Sequence, residues 1–307
     1  MEIWPQFQSP LAWDFFAVLT YLTVSVLFWY IGIVPDLAAV RDRSKKRRQQ
    51  VFYGLFALGW RGSARHWQRW RQSYTLVAAI AVPLVVSVHS EISLLFAAGP
   101  IPGWHSTVFP PYFVLGAAFS GFAVVSMIAV CLRHALGLYD LVTPRHLDLL
   151  GKLTLATGLM TAYGYFAEIF DVLYANEHQE VATLYDRFGG DYAWSYWGAV
   201  IANFVPLQLL WLRSVRRSPV GLFLIGLSVG IGMWFERYML LVTSLYRDYL
   251  VSSWGPYHAS FWEWSLYAGM LGVFMVPFLL FVRFLPVISA FEVKEALFED
   301  TVEARDA

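Results

Sequence analysis

The sequence predicts an all-α fold, a polytopic bundle of transmembrane helices with about seven spans. Hydrophobic residues make up 58% of the 307 residues and charged residues 14%, whereas a soluble domain carries about 25% charged residues. With a mean hydropathy of +0.52, this apolar excess is too large to be hidden inside a water-soluble globule. The composition excludes a disordered chain, a nucleic-acid-binding module and a secreted disulfide scaffold. The single cysteine, Cys131, excludes an intrachain disulfide and a multi-cysteine metal site.

The spans and their orientation follow from the apolar stretches and the loops between them. A spanning helix needs roughly 20 mostly apolar residues. Basic residues concentrate in alternate connections, above all from Arg41 to Arg71 and again at Arg213–Arg217. The positive-inside rule therefore predicts an outer N-terminus and a cytoplasmic C-terminus. The seven qualifying stretches lie at about residues 11–35, 74–97, 111–136, 150–174, 194–213, 220–246 and 263–286.

The predicted organisation has three parts. Residues 1–97 hold the first two spans and the basic cytoplasmic loop, 98–291 hold five spans, and 292–307 form a polar cytoplasmic tail. The segment from Val51 to Trp70 is amphipathic, so we expect it to lie on the cytoplasmic membrane surface.

Three ionisable residues stand near the predicted outer ends of the first two spans. An ionisable group inside a span costs about 2.5–3.5 kcal/mol on insertion scales, so each one needs a reason. Asp14 is either an interfacial carboxylate favoured by a helix N-terminus or a proton acceptor. His89 and Glu91 are two residues apart and point about 200° apart on a helix. Either groups on neighbouring helices supply their hydrogen-bond partners, or the histidine and the carboxylate serve proton-coupled chemistry.

A second polar group lies deeper in the predicted bundle. Glu168 and Asp171 share one helix face with Tyr165 beside Glu168, and Glu236 and Arg237 lie in mid-span. One interpretation is an internal ion pair, Arg237 with Glu168 or Asp171, which orders the bundle. The other is a polar proton path across the membrane.

The connection at residues 99–112 is short, rich in proline and aromatic, and includes Trp104, His105 and Phe109. It suits either an interfacial aromatic belt or a cap over an amphipathic ring at the membrane edge. His89 is the one histidine well inside a predicted span, since His134 stands two residues before the cytoplasmic end of its span, so this chain by itself is not expected to supply two facing histidines for a b-type haem. We also expect no iron–sulfur cluster or metal held by this chain.

Six runs of sequence together form a family pattern: residues 58–63, 87–90, 101–113, 156–160, 232–237 and 247–255. In these runs the chain resembles the polysulfide reductase (NrfD/PsrC) family, and the resemblance covers nearly the whole chain. Within that family the resemblance is strongest to ActC, the quinol-oxidising membrane subunit type of bacterial alternative complex III.

The resemblance implies a multi-pass protein of the bacterial cytoplasmic membrane that binds quinol, with menaquinol expected, near the outer surface. It implies partners of three kinds: an iron–sulfur subunit on the outer face, multihaem cytochromes and a second NrfD-like membrane subunit. Nucleic acid is not among them. Residues 1–97 then belong to the quinol-site bundle and 98–291 to a bundle with a polar proton path. The quinol-site residues it implies are His89 and Asp14, with Glu91, Trp104, His105 and Phe109 beside them; the proton-path residues are Tyr165, Glu168, Asp171, Glu236 and Arg237.

The chain departs from the family pattern in two respects. Members of this type usually have additional spans before the position that matches Met1, so the chain is expected to be part of a longer subunit or to be completed by another polypeptide. Related subunits also tend to carry an aspartate where Leu95 stands, and Glu91, one helical turn earlier, is the expected substitute. The alternatives are a proton-conducting or anchoring subunit without a quinol site, or the membrane subunit of a polysulfide-reductase-type molybdoenzyme.

Overall fold

The computed structural model describes residues 9–247 and 250–289, together with Phe291 and Val293. In this part of the chain every regular element is helical. The predicted tail at 292–307 lies outside the described residues except for Val293. The α-helices are α1 (Pro10–Arg43), α2 (Arg47–Phe56), α3 (Ala64–Ala97), α4 (Phe109–Ala135), α5 (Pro144–Ala175), α6 (His178–Gly189), α7 (Ala193–Phe204), α8 (Arg213–Arg216), α9 (Pro219–Leu245) and α10 (Phe261–Phe284).

Five of the described helices, α1, α3, α4, α9 and α10, are long and apolar enough to cross a membrane. Helix α5 has 32 residues and carries the buried polar side chains of Asp148 and Glu168. The prediction of an all-α membrane protein is therefore confirmed.

The fifth predicted span, at 194–213, is not a single α-helix, and this prediction was wrong in detail. Helix α7 ends at Phe204 and a 3-10 helix follows at Pro206–Trp211. Proline has no amide hydrogen and cannot continue the α-helical ladder, so Pro206 begins the tighter helix here.

The amphipathic segment from Val51 to Trp70 also differs from its prediction as one surface element. Helix α2 ends at Phe56, and α3 begins at Ala64 and includes Trp70. Between them, Gly59 and Gly62 have φ angles of 71° and 68°, a conformation that glycine adopts without the strain of a Cβ. The end of the predicted surface segment, from Ala64 to Trp70, is therefore the first part of the long helix α3.

The chain divides into two compact units. The first comprises residues up to Ala17 and Val85–Tyr257, and the second Val18–Leu84 and His258 onward. In the first unit, α4, α5, α7 and α9 pack around two apolar clusters. One cluster contains Phe119, Leu147, Leu207 and Val229, and the other contains Phe109 and Tyr112 among its members.

Close helix packing in the first unit depends on small residues, as is common where lipid supplies no hydrophobic driving force. A Cβ on Gly158 would lie 2.6 Å from Leu207, and one on Gly164 would lie 2.5 Å from the Tyr112 ring. These two glycines let α5 pack closely against the 3-10 helix at Leu207 and against α4 at Tyr112.

Candidate functional site

A buried ion pair joins α6 to α5 inside the first unit. Arg187 Nη1 donates to Glu168 Oε1 at 2.8 Å, and only 4% and 11% of the two side chains are exposed. The guanidinium also donates from Nη2 to the Gly103 carbonyl at 2.9 Å and from Nε to Thr243 Oγ1 at 3.4 Å. One interpretation of the sequence paired Arg237 with Glu168 or Asp171. Glu168 instead pairs with Arg187, because α6 brings the side chain of Arg187 into the bundle.

The peptide of Gly103 is held from both sides. Its N–H donates to both carboxylate oxygens of Glu180, at 3.0 and 2.9 Å, while its carbonyl accepts from Arg187. Gly103 has a φ of 79°, and a Cβ would lie 2.7 Å from Arg187 Nη2 and 2.8 Å from Ser244 Oγ. Only glycine therefore fits this position of the loop.

Burial raises the pKa of the Glu180 carboxyl, and the hydrogen bond from the Gly103 amide opposes this shift.

A second polar centre lies between α5 and α9. Glu236 is 1% exposed, and Tyr165 donates its hydroxyl hydrogen to Glu236 Oε2 at 2.7 Å. Arg237 Nη2 lies 3.3 Å from Glu236 Oε1, and its guanidinium stands 4.0 Å from the centroid of the Phe113 ring. In the described structure, Glu236 Oε1 and Arg237 Nη1 are buried without hydrogen-bond partners. The ion pair shown for Arg237 is thus formed with the adjacent residue and not across helices with Glu168 or Asp171.

His89 and Arg237 both line a cleft of about 510 Å³. His89 Nδ1 lies 2.8 Å from the Val85 carbonyl oxygen, which can only accept, so Nδ1 carries the ring hydrogen. In a neutral ring Nε2 is then an acceptor. The lining comes from α3 (His89, Ile92, Phe96), α4 (Phe113, Ala117, Ser120) and α9 (Met233, Trp234, Arg237, Leu240, Leu241).

This cleft can hold a flat, amphipathic ring. Aromatic and aliphatic side chains form most of its wall, and its polar groups are an imidazole, a guanidinium and a hydroxyl. Pockets for small molecules are typically of this kind, largely apolar with a few convergent polar groups. A neutral imidazole accepts a proton near neutral pH, and a guanidinium stabilises a developing negative charge.

The structure separates the predicted quinol-site residues. His89 lines the cleft. Trp104 donates from Nε1 to the Leu240 carbonyl at 2.8 Å and packs edge-on against Phe96. Phe109 is fully buried in an apolar cluster, and His105 is exposed. Of the loop residues, Trp104 thus contacts two residues that line the cleft but does not itself line it.

The remaining predicted residues lie elsewhere. Asp14 is half-buried, and its Oδ1 atom is buried without a hydrogen-bond partner among the described residues. Glu91 is half-buried on α3 and does not line the cleft. Asp171 Oδ2 accepts a hydrogen bond of 3.3 Å from Ser106 in the loop between α3 and α4. In the part of the chain that the structure describes, no three His, Cys, Asp or Glu side chains are grouped to hold a metal ion.

Arg187 and Glu180 were not predicted as site residues, because both lie between predicted spans. The spacing of residues on α6 indicates that Arg187 faces the bundle. Thr183, Leu184 and Arg187 are buried, and these positions at i, i+1 and i+4 lie on one helix face. An amphipathic helix whose inner face includes an arginine requires a buried acceptor for it.

The chain belongs to the polysulphide reductase NrfD family, whose family model matches residues 1–247. It is similar to a putative dimethyl sulfoxide reductase membrane protein of Halobacterium salinarum, with 28% identity over 251 residues, 79% of this chain and 53% of the relative. It is also similar to one of the subunits of selenate reductase from Mesobacillus selenatarsenatis, with 23% identity over 304 residues, 94% of this chain and 70% of the relative. The chain thus spans about half the length of the first of these relatives.

Proposed function

We propose that this protein is the quinol-binding membrane subunit of a multi-subunit oxidoreductase. The main support for this proposal is the cleft that His89 and Arg237 line together with aromatic side chains. Membership of the NrfD family and the names of the two relatives, both reductase subunits, support it. The chain then exchanges electrons with a partner subunit and is not active by itself.

In the proposed mechanism, a bound quinol is oxidised to quinone, and its two electrons pass to the partner subunit. His89 Nε2 accepts one of the two hydroxyl protons, and the other passes to solvent. Arg237 stabilises negative charge on the same oxygen. Ser120 accepts a hydrogen bond, since its own hydroxyl hydrogen is donated to the Gly116 carbonyl. The rings of Phe113 and Trp234 orient the headgroup and exclude water from it.

We also propose a proton path that uses the two buried polar centres. Tyr165 and Glu236 form its inner part through their 2.7 Å hydrogen bond. Glu168 with Arg187, and then Asp171 with Ser106, continue it to the outer loop. Buried unpartnered atoms at Glu236 and Arg237 support this proposal, because such atoms in a polar interior are positions where ordered water can bind.

For the topology we propose seven membrane crossings with the Arg41–Arg71 loop in the cytoplasm. The crossings are the five long apolar helices, α5, and α7 with the following 3-10 helix. The 12 residues of α7 and the six of the 3-10 helix give a length of about 30 Å at rises of about 1.5 and 2.0 Å per residue. That length equals the hydrocarbon thickness of a bilayer, about 30 Å.

Two assemblies suit such a subunit. One is an alternative-complex-III type, in which electrons from menaquinol pass to an outer iron–sulfur subunit and multihaem cytochromes beside a second NrfD-like subunit. The other is a polysulfide-reductase-type molybdoenzyme, which the names of the two relatives favour. Affinity purification with mass spectrometry and haem staining separates them. Multihaem cytochromes support the first assembly and a molybdopterin subunit supports the second.

The quinol site is tested with His89→Gln in the purified complex. We expect at least about a 100-fold lower rate of quinol oxidation, the lower range of a lost general base, with unchanged subunit composition. His105→Gln is the matched control because His105 is exposed and does not line the cleft. A quinol-analogue photoprobe provides a readout independent of turnover, and labelling should map to the residues lining the cleft. Wild-type turnover in His89→Gln would overturn the proposed role of His89.

A further inference from the structure

The second unit contains an apolar groove of about 970 Å³ formed by α1, α2 and α10. Its size lies at the upper end of the range of about 300–1,000 Å³ for small-molecule sites. Apart from Arg48 and Gln49, the lining is apolar or aromatic: Trp29, Phe52, Tyr53, Phe274, Pro277, Phe278, Leu280, Phe281, Phe284 and Leu285.

Contacts within the second unit fix the shape of this groove. The Tyr53 hydroxyl donates to the Phe284 carbonyl at 3.0 Å, which ties α2 to the end of α10. Trp29 of α1 packs edge-on against Phe281, with ring centroids 5.9 Å apart. These contacts connect the three helices that form the groove, yet Leu280 in its wall is still 50% exposed.

The polar groups of the groove come from α2 alone. Arg48 and Gln49 are exposed on α2, and Lys45, Lys46 and Arg47 directly precede Arg48 in the chain. No acidic side chain is among the described residues that line the groove. An occupant that matches this surface has long apolar chains and a negatively charged headgroup.

We infer that this groove binds an anionic phospholipid, with its acyl chains against α10 and its phosphate at Arg48. A basic residue near an anionic lipid surface contributes about 1 kcal/mol, or roughly a factor of five in affinity. The inference is independent of the proposed quinol site, because every lining residue belongs to the second unit.

The test uses the complete complex in nanodiscs that contain a diazirine-bearing phosphatidylglycerol, compared with the same probe on phosphatidylcholine. We expect the anionic probe to label residues 48–53 and 274–285 more strongly than the neutral probe does. Arg48→Gln should lower labelling by the anionic probe about five-fold. Arg217→Gln removes the same charge from another exposed basic position and should leave the labelling unchanged.

A second pair of variants tests the apolar part of the groove. Leu280→Trp fills the groove and should reduce labelling, whereas Leu279→Trp should not, since Leu279 is similarly exposed but does not line the groove. Equal labelling by both lipid probes, unaffected by Arg48→Gln, would mean that the groove meets only bulk lipid and would overturn the inference. Competition by a quinone analogue, or cross-linking of a partner subunit from position 280 in place of lipid, would overturn it as well.

Discussion

Arg187 donates a 2.9 Å hydrogen bond to the carbonyl oxygen of Gly103, a residue 84 positions earlier in the chain. The same guanidinium binds Glu168. One arginine therefore connects the loop between α3 and α4 to a carboxylate of the proposed proton path, and a change at position 187 should disturb both at once.

Arg187→Leu should lower stability strongly. Removing one partner of a buried ion pair costs about 3–5 kcal/mol, because the other charge remains buried and uncompensated. We expect a lower Tm of the purified complex and less assembled complex, with partial recovery in Arg187→Leu/Glu168→Leu. Arg213→Leu is the control, since Arg213 is exposed. A Tm equal to the wild-type value in Arg187→Leu would contradict the importance of the pair.

Gly103→Ala should destabilise the loop between α3 and α4 by about 1–3 kcal/mol, the usual cost of a residue held in an unfavourable backbone region. The added Cβ also meets Arg187 and Ser244 at less than 3.0 Å. Gly121→Ala is the matched control, because a Cβ there has nothing within 4 Å and alanine favours the helix. The Tm and the rate of proteolysis at the loop are measured for both variants. Equal sensitivity of the two variants would refute the close packing at Gly103.

The raised pKa of Glu180 predicts a dependence of stability on pH. The ordinary value is 4.5, so at a pH between 4.5 and the raised pKa the folded state binds more protons than the unfolded state. This contribution is fully present below 4.5 and is lost as pH rises through the raised pKa. The Tm of the wild type should therefore fall relative to that of Glu180→Gln as pH increases. Glu177→Gln, at an exposed neighbouring position, should show no such trend.

Tyr165→Phe should cost about 1–3 kcal/mol, since it leaves a buried acceptor unsatisfied. Glu236 is 1% exposed and already has one oxygen without a hydrogen-bond partner in the described structure, so the loss is not easily compensated. Tyr163→Phe, two residues away and 70% exposed, is the control. If Tyr165 also belongs to the proton path, quinol oxidation coupled to proton release slows in Tyr165→Phe alone. Identical stability and turnover in both variants would argue against both roles.

The proposed topology is tested by cysteine labelling in a Cys131→Ser background. An impermeant reagent added to the outside of intact cells should modify Thr107→Cys and leave Lys46→Cys unmodified. Lys46 is exposed, and Thr107 is exposed just before α4. The opposite pattern would reverse the orientation that the distribution of arginine and lysine predicts.

The sequence by itself determined the class of protein and most of its helices. An apolar stretch of about 20 residues has few alternatives to a helix in lipid, because the backbone must satisfy its own hydrogen bonds there. This reasoning placed α1, α3, α4, α5, α9 and α10 near their observed ranges. It failed at 194–213, where Pro206 changes the helix type, since apolar composition does not distinguish one helix type from another.

Only the tertiary structure decided which charges meet. Glu168, Arg187 and Arg237 were all visible in the sequence, but an ion pair depends on where helices place side chains to within a few ångströms. Helix α6 directs Arg187 to Glu168, while Arg237 faces the cleft that His89 lines. Periodicity along one helix gives the face on which a residue lies. It does not give the neighbouring helix that this face meets, because that neighbour is selected by close packing at positions such as Gly158 and Gly164.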